Sequence, residues 1–240
     1  MSIDLGYVLG LVLKFLAKLP ATLLLTVGCF AGGLVLAFGI FWVRNARIPV
    51  VSQLADVFVS FGRSVPVILQ LFIVYYGLPQ LLSLTVGVDL GSWNKITFAA
   101  VTLVGFDSAY LAEVLRGAYL AVDREQIMLA QSLGYGPVAL WGRVVLPQML
   151  GIALPDLGNA LIKLLHNTTL LFTIGIVDIM GLADIIVSNN YGIRQAEVYL
   201  AVGLVYWVAS AALELLVKLC RRFNKYSVLV TDQIRLEVAA

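Results

Sequence analysis

The sequence predicts an all-α integral membrane protein that crosses the bilayer about five times. Three observations carry that prediction. Hydrophobic residues make up 61% of the 240 positions and charged residues only 12%, with a mean hydropathy of +0.96. A soluble domain carries about 25% charged residues because its surface must face water, so this chain lacks the charge to coat one. Apolar runs recur at the ~20-residue length that a helix needs to cross ~30 Å of hydrocarbon. The basic residues also segregate to one side of the resulting topology. The net charge of +2 says little about partners by itself, and no nucleic-acid partner is expected.

Taken in order, residues 1–19 place Lys14 and Lys18 among apolar stretches and suit a short interfacial helix. The opening Met-Ser-Ile-Asp lacks the basic n-region of a cleavable signal. From Pro20 the chain is uncharged to Val43, a first span on which Gly28, Gly32 and Gly33 would admit a close neighbour. A second span is expected over about Val50 to Leu82, broken or kinked at Pro66. A polar hairpin from Ser83 to Lys95 leads to a third span from Ile96 to about Val122.

Residues 123–145 are too polar and broken to cross; two short helices meeting at Gly134 to Pro137 are expected. Leu146 to Leu171 is a fourth span interrupted by Pro155, and residues 172–194 suggest a short helix lying across or dipping into the membrane. Val198 to Leu219 is a clean last span. The membrane domain is therefore 20–225, followed by a cytoplasmic tail at 226–240. Cys29 and Cys220 read as buried small hydrophobes, too far apart in sequence to suggest a pair.

Orientation follows from the positive-inside rule. One side collects Arg44, Arg47, Arg116, Arg124, Arg143, Lys218, Arg221, Arg222, Lys225 and Arg235; the other collects Lys14, Lys18, Lys95 and Arg194. The N-terminus is expected outside and the C-terminus in the cytoplasm.

Charges at membrane depth cost at least ~2.5 kcal/mol each on insertion scales. Asp56, Arg63, Asp107, Asp156 and Lys163 therefore need pairing, water or a substrate. Mutual pairing would lock the bundle; their concentration in spans two, three and four favours a hydrated path between those helices. Asp107 is a candidate binding residue, with a salt bridge to Arg63 or Lys163 as the bland alternative. Arg63 is a candidate for bonding the carbonyls freed at Pro66. His166 is the single histidine and cannot alone build a metal site. No Gly-x-Ser-x-Gly nucleophile motif and no P-loop is present, so catalysis is the weakest reading and any ATP must be hydrolysed elsewhere.

The segment Gln126-Ile-Met-Leu-Ala-Gln-Ser-Leu-Gly134 continues through Arg143 to Leu146-Pro147-Gln148. An apolar-faced helix, a glycine break, a second short helix and a Leu-Pro re-entry suit docking of a separate protein. A secondary transporter or channel of unrelated fold, the alternative, gives no reason for this arrangement.

Here the chain resembles the permease subunits of bacterial ATP-binding-cassette importers for polar amino acids, of the histidine, glutamine and arginine type, over about Pro20 to Tyr226. Their coupling signature runs Glu-Ala-Ala, three residues, Gly, then Leu-Pro; this chain has Met128-Leu129-Ala130, Gly134 and Leu146-Pro147. Arg63-Ser64-Val65-Pro66, Gln70-Leu-Phe and Tyr75-Tyr76-Gly77-Leu78-Pro79 resemble the Arg-Gly-Thr-Pro, Gln-Leu-Phe and Tyr-Tyr-Gly-Leu-Pro runs. Ala109-Tyr110-Leu-Ala-Glu113-Val-Leu-Arg116-Gly117 is a third match; Leu154-Pro155, Asn159 and Leu164-Leu165-His166-Asn167-Thr168-Thr169-Leu170 form a fourth, with His166 where relatives carry lysine.

The resemblance implies a type I importer fold and a multi-pass position in the bacterial inner membrane. Its implied partners are an extracytoplasmic solute-binding protein, cytoplasmic ATPases, a second permease chain (identical or paralogous) and membrane lipid. ATP and Mg²⁺ would sit on the ATPase, with no cofactor on this chain. Docking would involve Gln126, Met128, Ala130, Gln131, Ser132, Gly134 and Arg143. Carried over by position, the substrate pocket would use Ser64, Val65, Pro66, Asn159, His166 and Thr169. A histidine in the lysine position would make carboxylate binding pH-sensitive, and Asp107 would favour a cationic group. The expected cargo is a basic or zwitterionic amino acid or derivative.

Overall fold

A computed structural model describes residues 3–223. Five helical segments are long and apolar enough to cross a membrane: Leu19–Asn45, Val67–Val86, Lys95–Leu120, Pro137–Ile174 and Gln195–Arg222. The expected count therefore holds, and no strand occurs among the described residues.

Helix α1 (Leu5–Leu16) starts where the Asp4 carboxylate accepts from the Tyr7 N–H at 3.1 Å. At 1.5 Å per residue it is too short to cross. It buries Val8, Leu11 and Phe15 against the last helix, while Leu5, Leu9 and Leu13 stay exposed. Arg194 stacks over the Tyr7 ring at 4.4 Å and reaches Asp4 at 3.5 Å, so α1 is tied to the turn that begins that helix.

Helix α2 (Leu19–Asn45) carries Pro20 in its first turn, where the missing N–H costs nothing. The second span departs from the expected single stretch. Helix α3 (Val51–Ser64) is amphipathic and holds Asp56 and Arg63; the apolar crossing begins only after Pro66, through α4 (Val67–Phe72), a π-helical turn, and α5 (Leu78–Val86). Two charges expected at membrane depth thus belong to a flanking helix.

Helix α6 (Lys95–Leu120) is the centre of the bundle. Its most apolar stretch is 56% buried, against 11–33% for the other spans, because α2, α3, α4 and the fourth span all pack on it. Gly32 and Gly33 of α2 face Val104 and Asp107 of α6, as the close-approach reading expects, whereas Gly28 meets nothing within 4 Å.

The polar segment forms α7 (Arg124–Ser132), capped by the Asp123 carboxylate, and α8 (Pro137–Leu140), with a π-helical turn following. Gly134 joins them at φ +81°, a left-handed conformation that costs an L side chain. Helix α9 (Leu146–Asn167) runs through Pro155 into a 3₁₀ turn ending at Ile174. Helix α10 (Ile179–Asn189) is short, and α11 (Gln195–Phe223) closes the bundle, packing on α1 and α9. Cys29 is buried as expected, but Cys220 is exposed near the end of α11 among the described residues. The expected tail, 226–240, lies outside the described residues.

Candidate functional site

Two groups of charges lie on this scaffold, and they are built differently. The first sits where α2 and α6 end and α3 begins its approach. Glu113 receives Arg44 at 2.5 Å and Arg116 at 2.8 Å, with Arg63 at 3.7 Å. Arg44 also holds Asp56 at 2.6 Å. Every charge in the group has a partner, and the network stitches α3 to α2 and α6. Gly62 completes the seam: a Cβ there would lie 2.5 Å from Ala109 Cβ.

The same contacts redistribute the expected roles. Arg63 pairs with Glu113, and the carbonyls freed at Pro66 are bonded by Gln70 instead. Its Nε2 donates to Gly62 O at 3.0 Å and Val65 O at 2.8 Å. A buried side-chain amide here replaces backbone donors that the break removes. Ser64 and Pro66 are exposed at this break, with Val65 half-buried.

The second group lies on α9. Asp156, Asn159, Lys163 and His166 are all exposed, at successive spacings that an α-helix gathers on one face. Four polar side chains in a row on an apolar span cannot be lipid-facing without large cost, on the order of 2.5–3.5 kcal/mol for each charge. No carboxylate lies within 4.0 Å of Lys163 among the described residues. Its ammonium rests over the Tyr110 ring at 4.7 Å and the Phe106 ring at 5.4 Å. An open cavity of about 400 Å³, lined by Arg63, Tyr110, Glu113 and Asp156 among others, joins the α9 face to the α3–α6 seam.

Asp107 takes a third position. It is 3% exposed, turned toward Gly33 of α2, and its Oδ2 has no hydrogen-bond partner. Neither Arg63 nor Lys163 lies in salt-bridge range of it, although Lys163 is the cation acting on it through space. No hydrogen bond joins Asp107 to Ser64, Asn159 or His166 among the described residues. Thr169 is half-buried, its hydroxyl donating to the His166 carbonyl at 2.7 Å.

His166 Nε2 lies 2.8 Å from Ser210 Oγ on α11. A Ser–His contact needs a third group orienting the ring before it reads as a nucleophilic pair, and no such hydrogen bond to His166 exists among the described residues. The contact is a cross-link between α9 and α11, which also approach at Gly158, where a Cβ would lie 2.6 Å from Val217.

The 123–145 segment is a small folded unit. Ala130, Leu140 and Val145 form its core with Ile127 and Trp141. Of the expected docking residues, Ala130 is buried there, while Gln126, Met128, Gln131, Ser132, Gly134 and Arg143 are exposed. Two ties connect the unit to the spans. Gln148 Nε2 donates to Gln126 Oε1 at 3.0 Å, linking α9 to α7. Trp141 stacks on Tyr119 of α6 at 5.4 Å and meets Trp42 of α2 at 5.1 Å. Neither tie was anticipated from sequence.

A bundle of five spans with a polar helix face and a folded unit projecting from one end is the architecture of a transporter's membrane subunit. Residues 26–225 match the binding-protein-dependent transport system inner membrane component family, and the chain belongs to that family. It is 35% identical to a probable amino-acid ABC transporter permease protein, PatM, of Vibrio harveyi, over 86% of this chain and 90% of that one. It is also 35% identical to the L-cystine transport system permease protein TcyL of Bacillus subtilis, over 89% and 88% of the two chains. A solved amino acid ABC transporter with histidines superposes with a TM-score of 0.80 at 29% identity, covering 92% of this chain and 99% of that one.

The chain is thus a membrane permease subunit of an ATP-driven amino-acid importer, a type I importer permease. It is not itself an enzyme; ATP hydrolysis belongs to a separate subunit. Membership implies an ATPase and a binding protein as partners.

Proposed function

We propose that this chain forms half of a translocation pore for a basic or zwitterionic amino acid or derivative, completed by a second permease chain, identical or paralogous. The observation that carries this is the exposed polar face of α9. Asp156, Asn159, Lys163 and His166 are exposed on a span, left uncovered on that face by the described residues, and a facing half-pore would cover them. The span Val67–Val86, only 11% buried, leaves ample apolar surface for that second chain and for lipid.

Ser64, Val65, Pro66, Asp107, Asn159, His166 and Thr169 are the proposed substrate residues. Asp107, with an unpartnered oxygen, would serve a cationic group indirectly, from behind the α6 wall. Gln126, Met128, Gln131, Ser132, Gly134 and Arg143 would face the ATPase, with Ala130 setting the shape of the surface from below. ATP and Mg²⁺ would sit on that ATPase. In this reading the N-terminus lies outside the bacterial inner membrane, with 1–19 as an interfacial element; the 123–145 segment and the tail lie in the cytoplasm. The excess of basic residues on that side supports the orientation.

Proteoliposomes holding this permease, its ATPase and its binding protein test the reading. ATP-dependent accumulation of labelled L-arginine, L-glutamine or L-cystine is expected. A complex that hydrolyses ATP under binding-protein stimulation but accumulates none of them would overturn the substrate assignment.

A further inference from the structure

We propose that Lys163 is the anchor for the substrate's carboxylate, held free for that purpose by the rings of Phe106 and Tyr110. The inference rests on the import reading above and adds a residue and a chemical group to it.

A lysine at membrane depth ordinarily finds a carboxylate. The basic side chains around Glu113 have done so, and Arg194 has found Asp4. Lys163 has not, although a buried carboxylate with an unpartnered oxygen, Asp107, stands close enough to act on it through space. The two lie on different helices, Asp107 on α6 and Lys163 on α9, and their charged ends point to different places. Asp107 is packed against Gly33 of α2, where the oxygen would lie 3.2 Å from any Cβ. The Lys163 ammonium instead lies over Phe106 and Tyr110, which are one turn apart on α6, at 5.4 and 4.7 Å from their ring centroids.

A ring face attracts a cation electrostatically but accepts no hydrogen bond of ordinary strength. The ammonium carries three N–H donors, and neither ring satisfies them as an anion would. Lys163 is exposed, on the same face as Asn159 and His166. The result is a positioned, incompletely satisfied cation at the wall of the proposed pore. Its complement is a compact anion that presents oxygen acceptors, and the carboxylate of an amino acid has that chemistry. Asp156, two turns earlier on the same face, is exposed and free of any ion pair among the described residues. It provides a place for the substrate's cationic end.

Lys163 also differs from His166 in kind. His166 is engaged with Ser210 at 2.8 Å, whereas the Lys163 ammonium meets only the two ring faces and no carboxylate among the described residues.

The test is equilibrium binding to the purified permease–ATPase complex in lipid nanodiscs, with import measured in parallel in proteoliposomes containing the binding protein. The probes are L-arginine, L-glutamine and L-cystine, each compared with its α-carboxamide. For the amino acid that is imported, the free acid is expected to bind at least about tenfold more tightly than the amide. Lys163→Gln should abolish that preference by weakening the acid alone, and Lys163→Arg should keep most of it. Unfolding temperatures of both variants within a few degrees of wild type exclude misfolding.

Equal binding of acid and amide by the unmodified complex overturns the assignment without any variant. So does a Lys163→Gln complex that still prefers the acid, or the absence of binding in a complex that imports. Absence of import for every probe instead counts against the import reading, and the Lys163 assignment falls with it.

Discussion

The charges around Glu113 and those along α9 have similar composition and opposite fates. Around Glu113, three arginines and a second carboxylate, Asp56, converge until each is paired at 3.7 Å or closer. Along α9, Asp156 and Lys163 stand apart, and the lysine lies against rings rather than against an acid. A bundle that only needed rigidity would pair charges wherever they occur, because a lone charge at depth is expensive. Paired charges fix how α3 meets α2 and α6, and in the proposed reading the unpaired ones are left for the substrate.

The sharpest way to break this contrast is Glu113→Gln. It removes the acid that three arginines share, leaving Arg63 and Arg116 without a carboxylate partner among the described residues and Arg44 with Asp56 alone. Losing one partner of a buried ion pair costs about 3–5 kcal/mol. Glu113 keeps 16% side-chain exposure, so the lower end of that range is expected. The measurement is thermal unfolding of the detergent-solubilised complex, in which α3 should loosen first and become accessible to protease. An unfolding temperature within a degree of wild type would show that the network is not structural.

Much of the fold was legible in the sequence because lipid imposes strict length and polarity rules. The five spans, the break at Pro66 and the helix–glycine–helix unit at 123–145 each follow from local composition. The boundary of the second span did not, because α3 and α4 read as one nearly continuous apolar stretch until Arg44 and Glu113 are seen gripping α3. Partner choice was the least legible. Glu113 and Arg116 sit three residues apart on one helix and could be paired on sight, but Arg44 reaches Glu113 across 69 positions. Gln70 was visible only as a motif residue, and its two carbonyl acceptors appear only once the Pro66 break has a shape. Lys163 could be flagged as costly, yet its lack of an acid partner is a fact of packing that no spacing encodes.

Asp178 offers an intermediate case. It is 9% exposed and caps α10 by accepting from the Gly181 N–H at 2.8 Å, while its other oxygen is unpartnered. Burial raises its proton affinity above the ordinary aspartate value, and backbone hydrogen bonds oppose that only in part. The folded state therefore holds the proton to higher pH than the unfolded state. Stability falls as pH rises through that interval, and recovers as pH drops toward 3.8. Asp178→Ala should cost about 0.5–2 kcal/mol through the lost cap. Asp178→Asn keeps an acceptor without the buried charge. It should be at least as stable as wild type at pH 8, with the gap closing on acidification. A gap that widens as pH falls would contradict this account.

The smallest effect on stability, and the one that most sharpens the contrast, is expected at Asp156. It is exposed and makes no ion pair among the described residues, so Asp156→Asn should shift stability by no more than about 0.5 kcal/mol, as for an ordinary surface substitution. Transport should respond differently. If Asp156 receives the substrate's cationic end, its neutralisation should lower the apparent affinity of import for L-arginine about tenfold, the equivalent of ~1.4 kcal/mol. Import of an uncharged-side-chain amino acid should suffer less. At Glu113 the order reverses, since stability is lost first and transport only as a consequence. Finding both variants equally unstable, or both equally stable and inactive, would erase the distinction between the two groups of charges.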